Sequence, residues 1–397
     1  MSIPVKATQR GCSTGLSRRE YGFEDPAPRT RHVCQIPSIA MDVTRRISVI
    51  EDPRFLNHIA PDGHPEAAAR LLAVGQALAE WEKHSPGTLE RRAPRHASDE
   101  EILRIHTPDH LRRIEEAVKH APTQLDADTF VSAESFDVAR LAVGSCVDLA
   151  IDVAKGGSDC GFAALRPPGH HAEAGRAMGF CLFNGVAIAA RALQQVVGIE
   201  KVLILDWDVH HGNGSQHSFA EDPSILYIST HQFPFYPGTG AASEAGKGMG
   251  FGATVNIPMP PGCGDPEYIG VLQHLFRPIA LEFDPDFILV SCGFDAHRCD
   301  PLGSMEISGA GFRGMTQIVR EVAEATCNGR IAFVLEGGYS AQGLAEGTAG
   351  VLSGMLEPAG DPLSQQPVAV PVGSNLEQIV NTVSQVHHQT FACIAEP

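Results

Sequence analysis

Short apolar segments recur along the chain, each followed by polar or Gly-rich residues. They are four or five residues long and mostly rich in β-branched side chains, which is typical of strands buried on both faces of a sheet. The clearest of them leads directly into the polar run Asp206–His210, where alternate side chains share a face if the chain stays extended. The predicted strands are Ile47–Ile50, Gly161–Leu165, Val202–Leu205, Ile225–Ser229, Phe287–Ser291 and Ile331–Leu335.

Apolar residues three and four positions apart predict helices between these strands. The first pattern opens at Asp62, takes Pro65 as its first helical residue and continues to Trp81. Strands that alternate with helices predict an α/β domain with a mostly parallel central sheet flanked by helices. The other predicted helices are 101–118 (broken at Thr107-Pro108), 135–153, 185–197, 267–282, 311–326 and a tail helix with Leu376, Ile379, Val380 and Val383 on one face.

Reactive side chains follow four of the predicted strands at the points where those strands end. In open α/β sheets, ligands bind beyond the carboxyl ends of the strands. This convergence therefore predicts an active site at one edge of the sheet. The side chains are His170 and His171, Asp208 and His210, Asp295, and Tyr339.

Asp208, His210 and Asp295 are the predicted ligands of a divalent metal ion. Three protein ligands that leave a fourth position open are typical of catalytic zinc sites. Because two of the ligands are carboxylates, Fe(II) or Co(II) also suits the site. A metal ion held there polarises a carbonyl group and lowers the pKa of a bound water.

The remaining side chains supply the proton chemistry that hydrolysis of an amide needs. His170 and His171 are placed to act as general base and general acid. The hydroxyl of Tyr339, carried on a Gly-Gly turn, can donate a hydrogen bond to the oxygen on which negative charge develops. The set of residues predicts metal-assisted amide hydrolysis.

The charge of the chain limits the partners that it can have. Its formal charge is 30 − 47 = −17, which argues against direct binding of nucleic acid, since that needs a basic face. The sequence contains no run of about 18 apolar residues, so we expect no membrane span. The ten cysteines follow no metal-binding or disulfide spacing. They are expected to be reduced thiols of a cytoplasmic protein.

Three parts of the chain are expected. Residues 1–45 are polar, contain Pro and Arg, lack the apolar core of a secretory signal, and are expected to form a disordered extension. Residues 46–357 carry the alternating strands and helices and form the catalytic domain. Residues 358–397 are a Pro-rich segment followed by the tail helix. His387 and His388 are expected to lie on the solvated surface of that helix.

Six motifs resemble, in the same order, those of the histone deacetylase family. The class II branch, with its bacterial histone deacetylase-like amidohydrolases, is the most similar. The resemblance runs from about residue 47 to residue 356 and implies the arginase/deacetylase type of α/β fold. The motifs are Arg166-Pro-Pro-Gly-His-His-Ala172, Gly179-Phe180-Cys181, Asp206-Trp-Asp-Val-His-His-Gly-Asn-Gly214, Gly293-Phe-Asp-Ala296, Asp300-Pro-Leu-Gly303 and Glu336-Gly-Gly-Tyr339.

The resemblance implies a role for each residue of the predicted site. It makes Asp208, His210 and Asp295 the zinc ligands and Tyr339 the oxyanion donor. It makes His171 the general base and acid, and His170 a neighbour that pairs with Asp206 and tunes the electrostatics. Asn213 stands where class I members have an aspartate behind the second histidine.

The resemblance also implies a substrate tunnel. Phe180 and Tyr236 match the aromatic walls that hold an acyl-lysine, with Gly179 beside Phe180. Asp128 is a looser match to the rim aspartate that holds the substrate backbone. Leu302 occupies a gatekeeper position at which polyamine-selective relatives have an acid.

The sequence can also be compared with two further ion sites of related proteins. Backbone carbonyls around Asp206, Asp208 and His210, together with Ser229, resemble the potassium site of the family. Arginase-like enzymes bind two manganese ions and need an aspartate at the position of Gly212, so a second metal site of that kind is not expected.

Three functions remain open at this point. The first is zinc-dependent hydrolysis of acetyl-lysine, or another acyl-lysine, in a protein or peptide. The second is hydrolysis of an acetylpolyamine or another small N-acyl amine. The third is a weakly active scaffold that binds acyl-lysine. The Gly-rich loop at 240–252 and the tail helix leave self-association open.

Overall fold

The computed structural model describes residues 45–357 and 367–394. Residue 45 apart, the predicted N-terminal extension lies outside the described residues, as does most of the Pro-rich segment. The strands are β1 (Ile47–Ile50), β2 (Leu89–Arg91), β3 (Thr123–Gln124), β4 (Phe130–Val131), β5 (Cys160–Ala163), β6 (Val202–Asp206), β7 (Ile225–Gln232), β8 (Thr254–Met259), β9 (Phe287–Cys292) and β10 (Ile331–Leu335). The helices are α1 (Ala69–His84), α2 (Asp99–Ile102), α3 (Pro108–Lys119), α4 (Ser135–Ala154), α5 (Gly185–Ala192), α6 (Asn213–Phe219), α7 (Asp265–Val271), α8 (Arg277–Phe283), α9 (Gly309–Thr326), α10 (Ala341–Leu356) and α11 (Asn375–His387).

Eight of these strands form one sheet in the order β2-β1-β5-β10-β9-β6-β7-β8. Every pairing within it is parallel. The short strands β3 and β4 form a separate antiparallel pair. The predicted α/β architecture with a parallel central sheet is therefore confirmed.

The sheet is covered on both faces, as the apolar character of its strands predicts. Leu203 and Leu205 of β6 pack into one core cluster with residues of α1 and α7–α11. Val202 and Ile204 point to the other side, where they meet α3, α4 and α5. Alternate residues of one strand thus serve two cores. The polar side chains of the site follow at the ends of the strands.

The start of the first helix differs from its prediction. The pattern that opens at Asp62 predicts Pro65 as the first helical residue, but α1 begins at Ala69. Residues 61–68 instead form turns that place the carboxylate of Glu66 in the interior, with its side chain only 1% exposed. Buried arginines hold Glu66 there, and tertiary ion pairs of this kind leave no periodic signal in a sequence.

Helix α10 was missed by the apolar pattern. It contains four glycines, which lower helix propensity, and its sequence shows no clear polar face. The structure explains the glycines by close packing: a Cβ on Gly347 would lie 2.2 Å from the ring of Phe294, and one on Gly350 would lie 2.4 Å from the carbonyl oxygen of Gly309. α10 therefore packs tightly on α9 and on Phe294, the residue before Asp295.

The prediction for His387 is wrong. His387 is fully buried against the domain on the apolar face of α11, with Phe391 nearby, whereas the prediction placed it in solvent. Among the described residues, no helix has both the length and the apolar character that a membrane crossing requires.

Candidate active site

The polar strand ends converge because their strands are neighbours in the sheet. β5, β10, β9 and β6 lie side by side, and all four run in the same direction. Their carboxyl ends therefore open on one edge. The segments that follow these four strands carry His170 and His171, Tyr339, Asp295, and Asp208 with His210.

The three predicted metal ligands come together in the structure. Nδ1 of His210 lies 3.1 Å from Oδ1 of Asp208 and 3.1 Å from Oδ2 of Asp295. One donor atom from each of the three lies within 4.8 Å of the others, and all three residues are buried. A tetrahedral zinc ion with ligand bonds of about 2.0–2.2 Å holds its donor atoms about 3.4 Å apart, close to the 3.1 Å between Nδ1 of His210 and each carboxylate oxygen.

The backbone orients both carboxylates toward that point. The amide of Gly337 donates to Oδ2 of Asp208 at 2.7 Å, and the amide of Val209 donates to Oδ1 of Asp295 at 2.8 Å. A Cβ on Gly337 would lie 2.1 Å from Oδ2 of Asp295. Glycine at this position therefore lets the turn after β10 close over the carboxylates.

The charges of these three side chains suit the binding of a cation between them. Burial, together with the charge of the nearby Asp208, raises the pKa of Asp295 to about 7. Burial lowers the pKa of His210, but its hydrogen bonds to Asp208 and Asp295 outweigh burial and raise that pKa to about 10. Two buried carboxylates at this separation need a positive partner, and a divalent ion with an imidazole ligand supplies one. The donor set thus fits the predicted metal.

Gly212 lies where a second metal site would need a carboxylate. A Cβ there would lie 2.2 Å from Oδ2 of Asp206 and 2.6 Å from the hydroxyl of Tyr227. The space for a larger side chain is already filled. The packing therefore leaves no room for a carboxylate at position 212.

His170 pairs with Asp206, as the resemblance implies. Nδ1 of His170 lies 3.0 Å from Oδ2 of Asp206, which also accepts a hydrogen bond from Tyr227 at 3.0 Å. Burial lowers the pKa of His170, but Asp206 and Asp208 outweigh it and raise that pKa well above its usual value. Burial raises the pKa of Asp206.

His171 has the opposite electrostatic environment. Burial, followed by the charges of His170 and His210, lowers the pKa of His171 well below its usual value. Its Nδ1 lies 2.9 Å from Oδ1 of Asn213. The pKa values of the two neighbouring histidines are therefore shifted in opposite directions.

Tyr339 is held by a turn and by a buried cation. The guanidinium of Arg70 lies 4.9 Å from its ring centroid. Oδ2 of Asp300 accepts hydrogen bonds from the backbone amides of Tyr339 at 2.6 Å and Ser340 at 3.1 Å. Burial raises the pKa of the Tyr339 hydroxyl well above its usual value, so the hydroxyl remains a donor.

Two aromatic rings lie over the site. The ring of Phe180 lies 5.8 Å from that of Tyr339, and the ring of Tyr236 lies 5.1 Å from that of His171. Phe180 has a φ of +67°, which side-chain-bearing residues rarely adopt. Backbone strain of this kind concentrates at ligand-binding positions. Both rings therefore flank His171 and Tyr339.

Asp128 and Leu302 each contact a turn of the site. Oδ1 of Asp128 accepts a hydrogen bond from the amide of Gly179 at 3.2 Å, so it supports the turn that carries Phe180. Leu302 is partly exposed, and its amide donates to Oδ1 of Asp300 at 3.0 Å.

Ser229 lies opposite Asp206 in the register of β6 and β7, and its hydroxyl lies 2.9 Å from Nδ1 of His231.

Sequence reasoning missed several residues of the site. Glu66, Arg70 and Asp300 act on the Tyr339 turn, and Phe235 stacks on the ring of His210 with 5.4 Å between centroids. Glu336 follows β10 directly, and its Oε2 accepts from the amide of Gly169 at 2.6 Å and from that of His170 at 3.2 Å. Phe235 had a signal, since it adjoins Tyr236. Arg70 and Asp300 reach the Tyr339 turn from positions far from it in sequence, so no local pattern shows these contacts.

The parallel sheet and this set of side chains are those of the arginase/deacetylase fold. Residues 64–355 match the model of the histone deacetylase domain. This chain belongs to the histone deacetylase family.

Several relatives share this domain. The chain is 39% identical to histone deacetylase 15 of Arabidopsis thaliana over 342 residues, which cover 84% of this chain and 60% of that protein. It is 40% identical to a probable deacetylase of Archaeoglobus fulgidus over 295 residues, which cover 74% of this chain and 82% of the relative. A crystal structure of the HDA15 HD domain superposes with a TM-score of 0.81 at 37% identity, covering 88% of this chain and 96% of that one. The chain thus spans about 60% of the plant relative.

Proposed function

We propose that this chain hydrolyses the amide of acetyl-lysine, or of another acyl-lysine, in proteins or peptides, with a zinc ion held by Asp208, His210 and Asp295. The observation that carries the proposal is the arrangement of buried side chains at the carboxyl ends of the central strands. There the three donors converge within 4.8 Å, beside a neutral histidine and a protonated tyrosine. Zinc bound at this point would supply a polarised carbonyl and a water of lowered pKa.

The protein's own residues divide the proton chemistry between them. Nε2 of His171 accepts the proton of the attacking water and returns it to the leaving amine, because the pKa of this imidazole is lowered. The hydroxyl of Tyr339 donates to the carbonyl oxygen as negative charge develops on it. His170, held by Asp206 at 3.0 Å, stays charged and stabilises that negative charge.

The rings above the site favour a long, flexible acyl-amine. Phe180 and Tyr236 offer apolar faces to the methylene groups of a lysine side chain, which can be held between them while its amide reaches the base of the site. Asp128 holds the turn that carries Phe180 by accepting a hydrogen bond from the amide of Gly179. An uncharged Leu302 favours acyl-lysine in a peptide over a free acetylpolyamine.

The proposal also covers the ions, the partner and the compartment. Fe(II) is the alternative occupant of the metal site, and potassium is proposed near Asp206, Asp208, His210 and Ser229. The partner is an acetylated protein or peptide, in the cytoplasm. Neither a nucleic acid nor a membrane is part of the proposal.

The test is turnover of an acetyl-lysine peptide by metal-defined protein. We expect activity with zinc, loss of activity on chelation, recovery on adding zinc back, and a fall in kcat of about 100- to 1000-fold for Tyr339→Phe. Acetylputrescine, assayed in parallel, should be the poorer substrate. Equal rates with and without chelator would contradict the proposal. Tight binding of the acetylated peptide without turnover would favour a scaffold instead.

A further inference from the structure

The side-chain amide of Asn213 connects His171 to a carboxylate outside the metal site. Its Oδ1 faces Nδ1 of His171 at 2.9 Å. Its Nδ2 donates to Oε1 of Glu173 at 2.7 Å and has two further acceptors, the carbonyl oxygen of His171 at 3.3 Å and the sulfur of Met178 at 3.4 Å. All three acceptors lie on the NH2 side of the amide, so the amide has one favourable orientation.

This orientation determines where His171 carries its proton. Oδ1 of Asn213 is an acceptor, so Nδ1 of His171 must be the donor. A neutral imidazole has a single ring proton, and placing it on Nδ1 leaves the lone pair on Nε2. Reversing the amide of Asn213 would present a donor to Nδ1 and favour the other tautomer, in which Nε2 is protonated and cannot accept a proton.

The backbone of Glu173 is fixed at several points. Its amide donates to the carbonyl oxygen of Arg176 at 2.9 Å, and the amide of Arg176 donates back at 3.3 Å. Its own carbonyl oxygen lies 3.0 Å from Nδ1 of the buried His106. The side chain is 32% exposed, and its Oε1 also meets Nδ1 of His217 at 3.0 Å. The carboxylate is thus held in position, yet the site can accept another side chain that extends into solvent.

We propose that Glu173 is a positioning residue that sets the tautomer of His171 by fixing the amide of Asn213. The inference rests on the proposed function in one respect, which is that His171 serves as the base. It goes further in assigning the orientation of that base to a carboxylate that touches neither the metal ligands nor the tunnel walls. Among the acceptors of the Asn213 NH2 group, this carboxylate is the strongest, because it is charged and closest.

Glu173 also meets His217 on α6, so a purely structural role must be separated from the positioning role. A carboxylate that only fastens α6 would be replaceable whenever the helix stays in place. A carboxylate that orients Asn213 must present an acceptor to the NH2 group. The effect on kcat of a charge change at position 173 should then depend on which side chain is present at position 213.

Four variants of the zinc-loaded, full-length chain test this dependence. Glu173→Ala removes the acceptor, and kcat for an acetyl-lysine peptide should fall about 10-fold with KM little changed. Glu173→Gln keeps an acceptor oxygen and should recover most of that loss. Glu173→Lys presents a donor, reverses the amide, and should lower kcat by about 100-fold, because a catalytic histidine in the wrong tautomer is severely impaired. Adding Asn213→Asp to Glu173→Lys should restore activity, because the new carboxylate accepts from both His171 and the lysine.

The matched control is His217→Ala, which removes the contact with α6 and leaves the Asn213 hydrogen bond intact. It should leave kcat unchanged. A loss equal to that of Glu173→Ala would overturn the proposal, as would a double variant no more active than Glu173→Lys at equal thermal stability.

The tautomer itself can be observed without turnover. In protein labelled with 15N-histidine, the ring nitrogen resonances of His171, assigned by their loss in His171→Gln, should show a protonated Nδ1 in the wild type and a protonated Nε2 in Glu173→Lys. An unchanged tautomer in that variant would overturn the proposal. Since this measurement needs no substrate, a chain that proves inactive on acetyl-lysine would contradict the proposed function and still leave the role of Glu173 decided.

Discussion

The guanidinium of Arg70 lies 4.9 Å from the ring centroid of Tyr339 and is fixed to the turn that carries this ring. Its Nε donates to the carbonyl oxygen of Gly338 at 2.6 Å, and its Nη2 donates to that of Glu336. Glu66 accepts from Nη1 at 2.9 Å. The position of the Tyr339 ring, the proposed oxyanion donor, therefore depends on a buried ion pair from the segment at the start of α1.

Replacing Arg70 with lysine should impair catalysis more than substrate binding. A lysine keeps the charge but loses the planar fork that reaches two carbonyl oxygens and Glu66 together. The Tyr339 turn should then loosen, and a displacement of about 1 Å can cost about 100-fold in rate. We expect that fall in kcat, with KM changed less than threefold, in steady-state assays. Arg54→Lys, on an exposed arginine, should behave as wild type, and a normal kcat for Arg70→Lys would refute the dependence.

The same network makes a prediction about stability. Burial raises the pKa of Glu66, but Arg166 outweighs burial and lowers that pKa to about 2. Glu66→Gln leaves Arg70 and Arg166 buried without a counter-charge, which should lower the free energy of unfolding by about 3–5 kcal/mol. Urea denaturation measures this. Glu80→Gln, which breaks only exposed ion pairs with Lys83 and His84, should leave the midpoint unchanged, and equal midpoints for both variants would contradict the prediction.

The features that sequence could predict are those with a local cause. The strands β6, β9 and β10 are short apolar runs with polar boundaries, so both their positions and their convergence at one edge follow from the pattern. The spacing of Asp208 and His210 is likewise local. β8 was missed, because Asn256 and Pro258 interrupt its apolar pattern, and as the last strand of the sheet it can tolerate a proline.

Long-range contacts account for what sequence could not show. Glu66 and Arg166 are 100 residues apart, and neither has a periodic signal that announces burial. Glu173 appears in the sequence as one acid among many, and only the fold places it behind Asn213. The burial of His387 was missed for a related reason. It lies among polar residues in sequence, but the docked face of α11 covers it.

Substrate choice should respond to the charge at position 302. Leu302 is partly exposed near Asp300, which fixes the Tyr339 turn. Leu302→Glu would place a carboxylate near the entrance, where it can attract the free ammonium of an acetylpolyamine. We expect the ratio of kcat/KM for acetylputrescine over acetyl-lysine peptide to rise about 10-fold, which corresponds to about 1.4 kcal/mol of added attraction. Leu302→Gln separates charge from polarity and should leave the ratio near that of wild type. A ratio that rises equally in both variants would count against a role for charge.

His387 should make the protein less stable in mild acid. Its side chain is fully buried, neither ring nitrogen has a hydrogen-bond partner among the described residues, and burial lowers its pKa from 6.5 to about 4. Below pH 6.5 the unfolded chain binds a proton that the folded chain excludes until about pH 4. Stability should therefore fall across this window, by up to about 3 kcal/mol from this residue.

His387→Leu should remove that part of the pH dependence. It should also raise the free energy of unfolding at pH 7 by about 1–3 kcal/mol, because an unsatisfied buried polar group is replaced by an apolar one of similar size. Urea denaturation of both proteins from pH 4 to pH 8 tests this, since the difference between the two curves isolates His387 from the other buried histidines. His120→Gln, on an exposed histidine, is the control. Parallel curves for wild type and His387→Leu would show that the residue does not titrate between the folded and unfolded states as its burial requires.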